Sequence, residues 1–310
     1  MLDEAMLRPF GEVVCQEALK KHTTYQIGGV ADYFISVYNP QALQELIRLL
    51  KETNTDWLVL GNGSNVLIND APFHGVVISL RPYFNAFSFS DTLLEAQAGC
   101  SLIHLSQEAL SRSLSGLEFA AGIPGSIGGG IYMNAGAYLS DLSNLLEDVT
   151  VLQNDEVVTL PAQSLDFTYR HSIFQSHKDW IILSARFRLH PGQYEEIKAL
   201  MDSRRARRVA SQPLSSPCAG SIFRNPPNGY AWKIIESLGL RGVRHGGARI
   251  SPIHANFIVN EGNATAQDVD DLICLIQERA YQVFGVRLIT EVERINWDAK
   301  EKGQNDLHTF

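Results

Sequence analysis

Gly122-Ile123-Pro124-Gly125-Ser126-Ile127-Gly128-Gly129-Gly130, with Asn134-Ala135-Gly136-Ala137-Tyr138 close behind, is the stretch on which the reading of the fold turns. So many glycines in one segment cost conformational entropy, which is tolerable where a backbone must wrap a ligand. A flexible loop is the competing reading, yet Ile123, Ile127, Ile131 and Met133 interleave apolar anchors that a linker lacks. A second glycine segment, Gly61-Asn62-Gly63-Ser64-Asn65, follows directly on the apolar run Trp57-Leu58-Val59-Leu60. Its amides can approach an anion closely and Ser64 and both asparagines can donate to phosphate oxygens, or it is a tight turn between strands. Neither segment fits the GxGxxG or GxxxxGK pattern, which leaves open a dinucleotide held by two separate glycine loops outside a Rossmann fold.

Working outward, Asn39-Pro40 supplies a cap and a first-turn proline, and Leu43, Leu46, Ile47 and Leu50 follow at helical spacing. With Ala31 to Val37 before it and Trp57 to Leu60 after it as strands, this predicts a small parallel βαβ unit. From about Val66 to Leu189 short β-rich runs dominate, among them Val76 to Leu80, Val149 to Leu152, Val157 to Leu160 and Trp180 to Leu189, interrupted by a helix at Leu102, Leu105, Ala109 and Leu110. His190-Pro191-Gly192 reads as a linker before a polar helix. A later helix runs from a Thr265 cap, with Asp268 three residues on, through Val269, Leu272, Ile273, Ile276 and Val283 to Gly285.

A chain of 310 residues exceeds the usual size of one hydrophobic core, so two or three domains are expected. The net charge of -8 and pI near 5.6 argue against a general nucleic-acid surface. Met1 to Phe10 has no apolar run of signal-peptide length and no later stretch is long enough to span a bilayer, so a cytoplasmic protein is expected. Cys15, Cys100, Cys218 and Cys274 are too scattered for a CxxC pair or a zinc quartet and read as ordinary small residues.

Three further segments carry candidate chemistry. In Tyr169-Arg170-His171-Ser172-Ile173-Phe174 an arginine flanked by aromatics can hold a carboxylate in bidentate geometry, or form a structural ion pair. In Ala219-Gly220-Ser221-Ile222-Phe223-Arg224-Asn225-Pro226 the serine can donate a proton or hydrogen-bond a turn, and without a Gly-x-Ser-x-Gly elbow a serine hydrolase is a poor fit. Glu291 lies in the apolar run Leu288-Ile289-Thr290-Glu291-Val292, where a solvated strand face explains it and burial would make it chemically useful. Arg204, Arg205, Arg207 and Arg208 spread around a helix as a solvated surface, or lie near a diphosphate. His254 has no metal partner at helical spacing, so a structural or substrate-contacting role is favoured over zinc.

Taken in order, Thr24 to Gly29, Gly61 to Asn65, Gly122 to Gly129, Met133 to Tyr138, Tyr169 to Phe174, Gly220 to Pro226, His254 to Asn260 and Glu291-Val292 closely resemble the UDP-N-acetylenolpyruvoylglucosamine reductase family of bacterial peptidoglycan synthesis. The resemblance covers about Thr23 to Val292. It implies an α+β fold of the vanillyl-alcohol-oxidase FAD-binding type, divided into FAD-binding subdomains at 1–65 and 66–190 and a substrate-binding domain at 191–297, with 298–310 a frayed tail. Covalent relatives attach flavin through histidine or cysteine near the first glycine loop. Neither stands here, so FAD is expected to be non-covalent.

By the same resemblance FAD is held by Tyr25, Ile27, Gly28, Gly61, Asn62, Gly63, Ser64, Asn65, Gly122, Ile123, Pro124, Gly125, Ser126, Gly128, Gly129, Asn134 and Gly136. NADPH is the co-substrate and the enolpyruvyl ether of UDP-N-acetylglucosamine the substrate. Arg170, Ser221 and Glu291 are the implied catalytic groups, with Tyr169 and Asn225 positioning substrate; no metal, nucleic acid, membrane or obligate protein partner is implied. The short path from Trp180 to Ser221 is similar to the shorter subtype, which lacks a tyrosine-bearing insertion. Leu139 stands where the family usually has glycine, Gly130 where alanine is frequent, and His171 at a variable position. A related sugar or hydroxy-acid oxidase, and a flavin- or nucleotide-sugar-binding protein without catalysis, are the alternatives.

Overall fold

A computed structural model describes residues 2–297. A short helix, α1 (Glu4–Leu7), precedes strands β1 (Gly11–Ala18) and β2 (Val30–Val37). Helix α2 (Pro40–Glu52) starts as its sequence demands, the Asn39 side chain accepting from the Ala42 amide with Pro40 in the first turn. Its stripe of Leu43, Leu46, Ile47 and Leu50 is buried, each side chain contributing about 1.5–3 kcal/mol. Then come β3 (Trp57–Val59), β4 (Val66–Ile68), β5 (Phe73–Ser79), β6 (Phe87–Ser90) and β7 (Leu93–Gln97). Helix α3 (Leu102–Ser111) is capped by Ser101 and followed by β8 (Leu114–Ser115).

The glycine-rich stretch is ordered by its own cap. The Ser126 hydroxyl accepts from the Gly129 amide and opens helix α4 (Ile127–Tyr132), followed by β9 (Gly136–Ala137) and β10 (Ser140–Asp141). Long strands β11 (Leu146–Gln153), β12 (Glu156–Pro161) and β13 (Ile181–Arg188) come next, then β14 (His190–Pro191) and the polar helix α5 (Tyr194–Ser211). The remainder comprises α6 (Ala231–Ser237), β15 (Arg244–His245), β16 (Ala248–Ile250), β17 (Ile258–Asn260), α7 (Ala266–Phe284) and β18 (Glu293–Ile295).

These elements divide into two compact units, each assembled from three stretches of chain. The first is Met1–Gln16, Asp32–Asn62 and His74–Arg207. Apart from a few end residues it holds a four-stranded sheet ordered β1-β2-β5-β3 and a five-stranded sheet ordered β12-β11-β13-β7-β6. The expected βαβ unit needs a correction: β2 and β3 share a sheet, but β5 inserts between them and is the strand that β3 pairs with in parallel. The five-stranded sheet is antiparallel throughout, and its inward residues Leu94, Ala96, Val149, Val151, Ala185 and Phe187 join one core with the α2 stripe. His190-Pro191 is not a linker. It forms β14, paired with β8, and proline is tolerated because this two-stranded ladder has free edges.

The second unit is Glu17–Ala31, Gly63–Phe73 and Arg208–Phe310. Its three-stranded antiparallel sheet β15-β16-β17 packs with α7 around Ile250, Ile258, Val269, Leu272, Ile273 and Ile276. Helix α7 carries the capping box read from Thr265 and Asp268 and ends at Gly285 with φ 65°. Val283 departs from expectation, being 58 % exposed: the core stripe ends at Ala280, a turn before the helix does. A parallel pair, β18-β4, ties the end of the described chain to the strand after the first glycine segment. The tail expected at 298–310 lies outside the described residues.

Candidate active site

In the first unit Gly61 and Asn62 of one glycine segment meet the other segment. The Asn62 side-chain amide donates to the Pro124 carbonyl at 2.5 Å, and Arg81 donates to the Asn62 side-chain oxygen. A Cβ on Gly61 would lie 2.9 Å from the Ser126 hydroxyl oxygen. Gly61 to Asn65 lie outside any strand or helix, so no ladder consumes their amides, and β3 and β4 on either side belong to different sheets, which excludes a tight hairpin turn. Adjacent glycine loops beside a guanidinium suit an anionic, phosphate-bearing ligand.

Not every glycine in the second segment serves a ligand. The Gly128 and Gly130 amides donate to the Ala98 carbonyl and the Ser126 carbonyl, and Ile127 donates to Cys100. A Cβ on Gly130 would fall 2.9 Å from Leu142 Cδ1 and 3.0 Å from Leu102 Cδ1. These contacts explain a glycine by helix packing. Asn134 is 1 % exposed, its amide spanning the Thr168 carbonyl at 3.0 Å and the Ser143 amide at 3.2 Å. Gly136 takes the Arg170 Nη2 donor on its carbonyl at 2.7 Å.

Arg170 itself sits at the tip of a turn closed by reciprocal hydrogen bonds between Thr168 and His171. Its φ is 58°, a conformation that a long side chain adopts at a cost of about 1–3 kcal/mol. The guanidinium lies 5.1 Å from the ring centroid of Tyr169, which is half exposed. The arginine run on α5 is less uniformly solvated than expected: the Arg204 guanidinium sits 4.9 Å over the Tyr138 ring, and the Tyr138 hydroxyl donates to the Arg204 carbonyl.

The second unit brings the segments that carry Ser221 and Glu291 side by side. The Glu291 amide donates to the Ile222 carbonyl at 2.7 Å and the Arg224 amide to the Ile289 carbonyl at 2.9 Å, around an antiparallel bridge between Phe223 and Thr290. On its other side the Ser221 segment is braced by Asn256, 4 % exposed, whose side chain accepts from the Phe223 amide at 3.0 Å and donates to the Phe223 carbonyl at 2.8 Å. Asn225 spends its side-chain oxygen on the Ala231 amide at the start of α6. The Glu291 carbonyl accepts from the Asn65 side chain at 3.0 Å, so Asn65 also steadies the acid-bearing segment.

Tyr25 and Ile27, expected at the cofactor, are core residues: Tyr25 is fully buried, its hydroxyl donating to the Ile258 carbonyl and its own carbonyl accepting from Asn260. The half-buried His254 accepts from the Asn256 amide on Nδ1, which places the ring proton on Nε2, and burial followed by Arg241 lowers its pKa below the usual histidine value. Arg81, Asn256 and Asn260 were not singled out as site residues. The motif from His254 to Asn260 contained two of them, but nothing local marks an asparagine as a brace.

A family model described as an FAD binding domain matches residues 31–160, and one described as UDP-N-acetylenolpyruvoylglucosamine reductase, C-terminal domain, matches 212–295. The crystal structure of UDP-N-acetylenolpyruvylglucosamine reductase from Thermus caldophilus superposes with a TM-score of 0.79 at 34 % identity, covering 92 % of this chain and 98 % of that one. Fold and site thus define a flavoprotein with an α+β FAD-binding fold, an FAD-dependent oxidoreductase. Reductase 2 of Bacillus cereus (strain ATCC 10987) is 44 % identical over 94 % of this chain and 95 % of its own length. Reductase 1 of Bacillus anthracis is 41 % identical over 95 % and 98 %. The chain belongs to the UDP-N-acetylenolpyruvoylglucosamine reductase family. Among the described residues no helix is long and apolar enough to cross a membrane.

Proposed function

We propose that this protein reduces the enolpyruvyl ether of UDP-N-acetylglucosamine to UDP-N-acetylmuramate with NADPH, in the cytoplasm, as a step of peptidoglycan synthesis. The observation that carries this reading is 44 % identity with a reductase of that name over 94 % of the chain. The residues fit the cofactor: glycine segments joined through Asn62 and Pro124, with Arg81 alongside, offer amides and positive charge to a pyrophosphate. FAD held there would supply two-electron, hydride-transfer chemistry between NADPH and the enolpyruvyl alkene.

The chain's own task is the neighbouring carbon, where negative charge develops beside a carboxylate. Arg170 is assigned to that charge, since a preorganised guanidinium stabilises it more in the transition state than in the bound substrate. Ser221 is assigned as the proton donor. A hydroxyl is a weak acid and serves only a strongly basic centre, so its position must be fixed, and Asn256 and the Glu291 amide fix its segment. Glu291 is assigned a supporting role in proton supply, because a second fixed negative charge would oppose the developing one. Tyr169 and Asn225 are assigned to substrate positioning, and residues 191–297 to the substrate-binding domain.

The test is direct. The purified protein is expected to be yellow, to be bleached by NADPH and to regain its colour with the enolpyruvyl sugar. In Ser221→Ala the bleaching persists while reoxidation by the enolpyruvyl sugar slows by about 10²–10⁴-fold. Equal slowing of both half-reactions refutes the role of Ser221, and bleaching without substrate-dependent recovery in the native protein refutes the reaction.

A further inference from the structure

We propose that Gln175 is a positioning residue for the reductive step, acting through Arg170. The inference rests on the assignment of Arg170 above, and everything that carries it lies in the first unit. The Arg170 backbone is held at φ 58° by its neighbours, not by its own preference. From the 3-10 turn Ile173–Gln175, the Gln175 side-chain amide donates to the Arg170 carbonyl at 3.0 Å and to the Tyr132 carbonyl at 3.2 Å. Its oxygen lies 3.2 Å from His171 Nδ1, so one side chain grips the residue after Arg170, the Arg170 peptide and the end of α4 together.

The anchor for that grip is rigid. Ser172, fully buried, donates to the same Tyr132 carbonyl at 2.7 Å, and Asn134 holds the other limb of the turn through the Thr168 carbonyl. Phe174, 1 % exposed and edge-on to Trp180, fixes the 3-10 turn in the core. In this network it is the Gln175 side chain that donates directly to the Arg170 peptide. Without it the turn can relax toward an unstrained φ, which swings the guanidinium away from its place on the Gly136 carbonyl.

The experiment is a double-mutant cycle on the FAD-loaded protein, with Gln175→Met, which keeps length and removes the donor, and Arg170→Ala. Reoxidation of the reduced flavin by the enolpyruvyl sugar is expected to slow about 10- to 100-fold in Gln175→Met. In the Arg170→Ala background the same substitution changes the rate by less than about twofold, because the group it positions is gone. The NADPH half-reaction is unaffected by it. As a readout independent of turnover, the Arg170 Nε–H resonance, assigned by its loss in Arg170→Ala, shifts or broadens in Gln175→Met.

Equal slowing in both backgrounds, equal slowing of both half-reactions, or an unchanged reoxidation rate overturns the proposal. If Gln175→Met loses its flavin or unfolds, Gln175→Glu takes its place in the same cycle, being isosteric and lacking the amide donor, with the same outcomes deciding. If Arg170→Ala itself reoxidises at the native rate, the assignment of Arg170 fails instead, a result distinguishable from failure of the Gln175 proposal alone.

Discussion

Replacing Asp270 by asparagine should destabilise the second unit more than any other single neutralising change in α7. Asp270 Oδ1 lies 2.6 Å from Arg294 Nη2, and the two side chains are 6 % and 5 % exposed. Burial pushes the Asp270 carboxyl up from its ordinary range and Arg294 pulls it back, so the pair is balanced between lost hydration and mutual attraction. Removing one charge leaves the other buried without its counter-ion, which costs about 3–5 kcal/mol. Arg294 is the middle residue of β18, paired with Leu67 of β4, so the penalty falls on the strand that anchors the chain just beyond Gly63 to Asn65. At roughly 3 °C per kcal/mol this lowers the unfolding midpoint by about 10–15 °C. The assay is thermal unfolding followed by far-UV ellipticity, with urea denaturation to obtain the free energy. Asp270→Leu combined with Arg294→Met should recover most of the loss, because the pair's net contribution is small although each half is costly to strand. A single variant within about 1 kcal/mol of native, or a double variant as unstable as the two singles summed, would refute the reasoning.

Other consequences are equally specific. Gly63→Ala places a Cβ 2.0 Å from the His22 carbonyl oxygen at a φ of 59°; since backbone cannot yield as a side chain does, the variant should lose FAD on gel filtration and elute colourless. His254 has a folded pKa lowered by burial first and Arg241 second, with Glu236 opposing. Protonation therefore favours the unfolded chain: its contribution to stability is intact above the ordinary histidine value of about 6.5 and is lost as pH falls through the depressed folded value. Unfolding midpoints of His254→Gln should be flatter than native across that acidic interval, and a parallel pair of curves would refute the assignment. Thr265→Ala removes the hydroxyl half of the capping box on α7, leaving the Asp268 carboxylate on the backbone amide of residue 265, and should cost about 1 kcal/mol by urea denaturation, whereas Thr265→Ser should cost little.

Some corrections share one cause. The βαβ unit predicted from β2, α2 and β3 fails only in adjacency, because β5 arrives later in the chain and takes the central place. His190-Pro191 carries loop chemistry and is nevertheless a strand, because β8, some 75 residues earlier, offers a partner. Val283 keeps helical phase with the buried stripe but extends past the core that would cover it.

What the amino-acid order determined by itself was whatever depends on neighbours a few residues apart. The caps at Asn39 and Thr265, the stripes of α2 and α7, the stop at Gly285 and the glycine segments were all legible, because turns, caps and helical faces close within a single turn of chain. Tertiary structure alone decided which polar side chains brace the site. Asn260 reaches the Tyr25 carbonyl across 235 residues and Asn65 the Glu291 carbonyl across 226, while Asn134 joins Thr168 to Ser143. A buried amide's value lies in partners brought to it by folding, and local sequence carries no record of them.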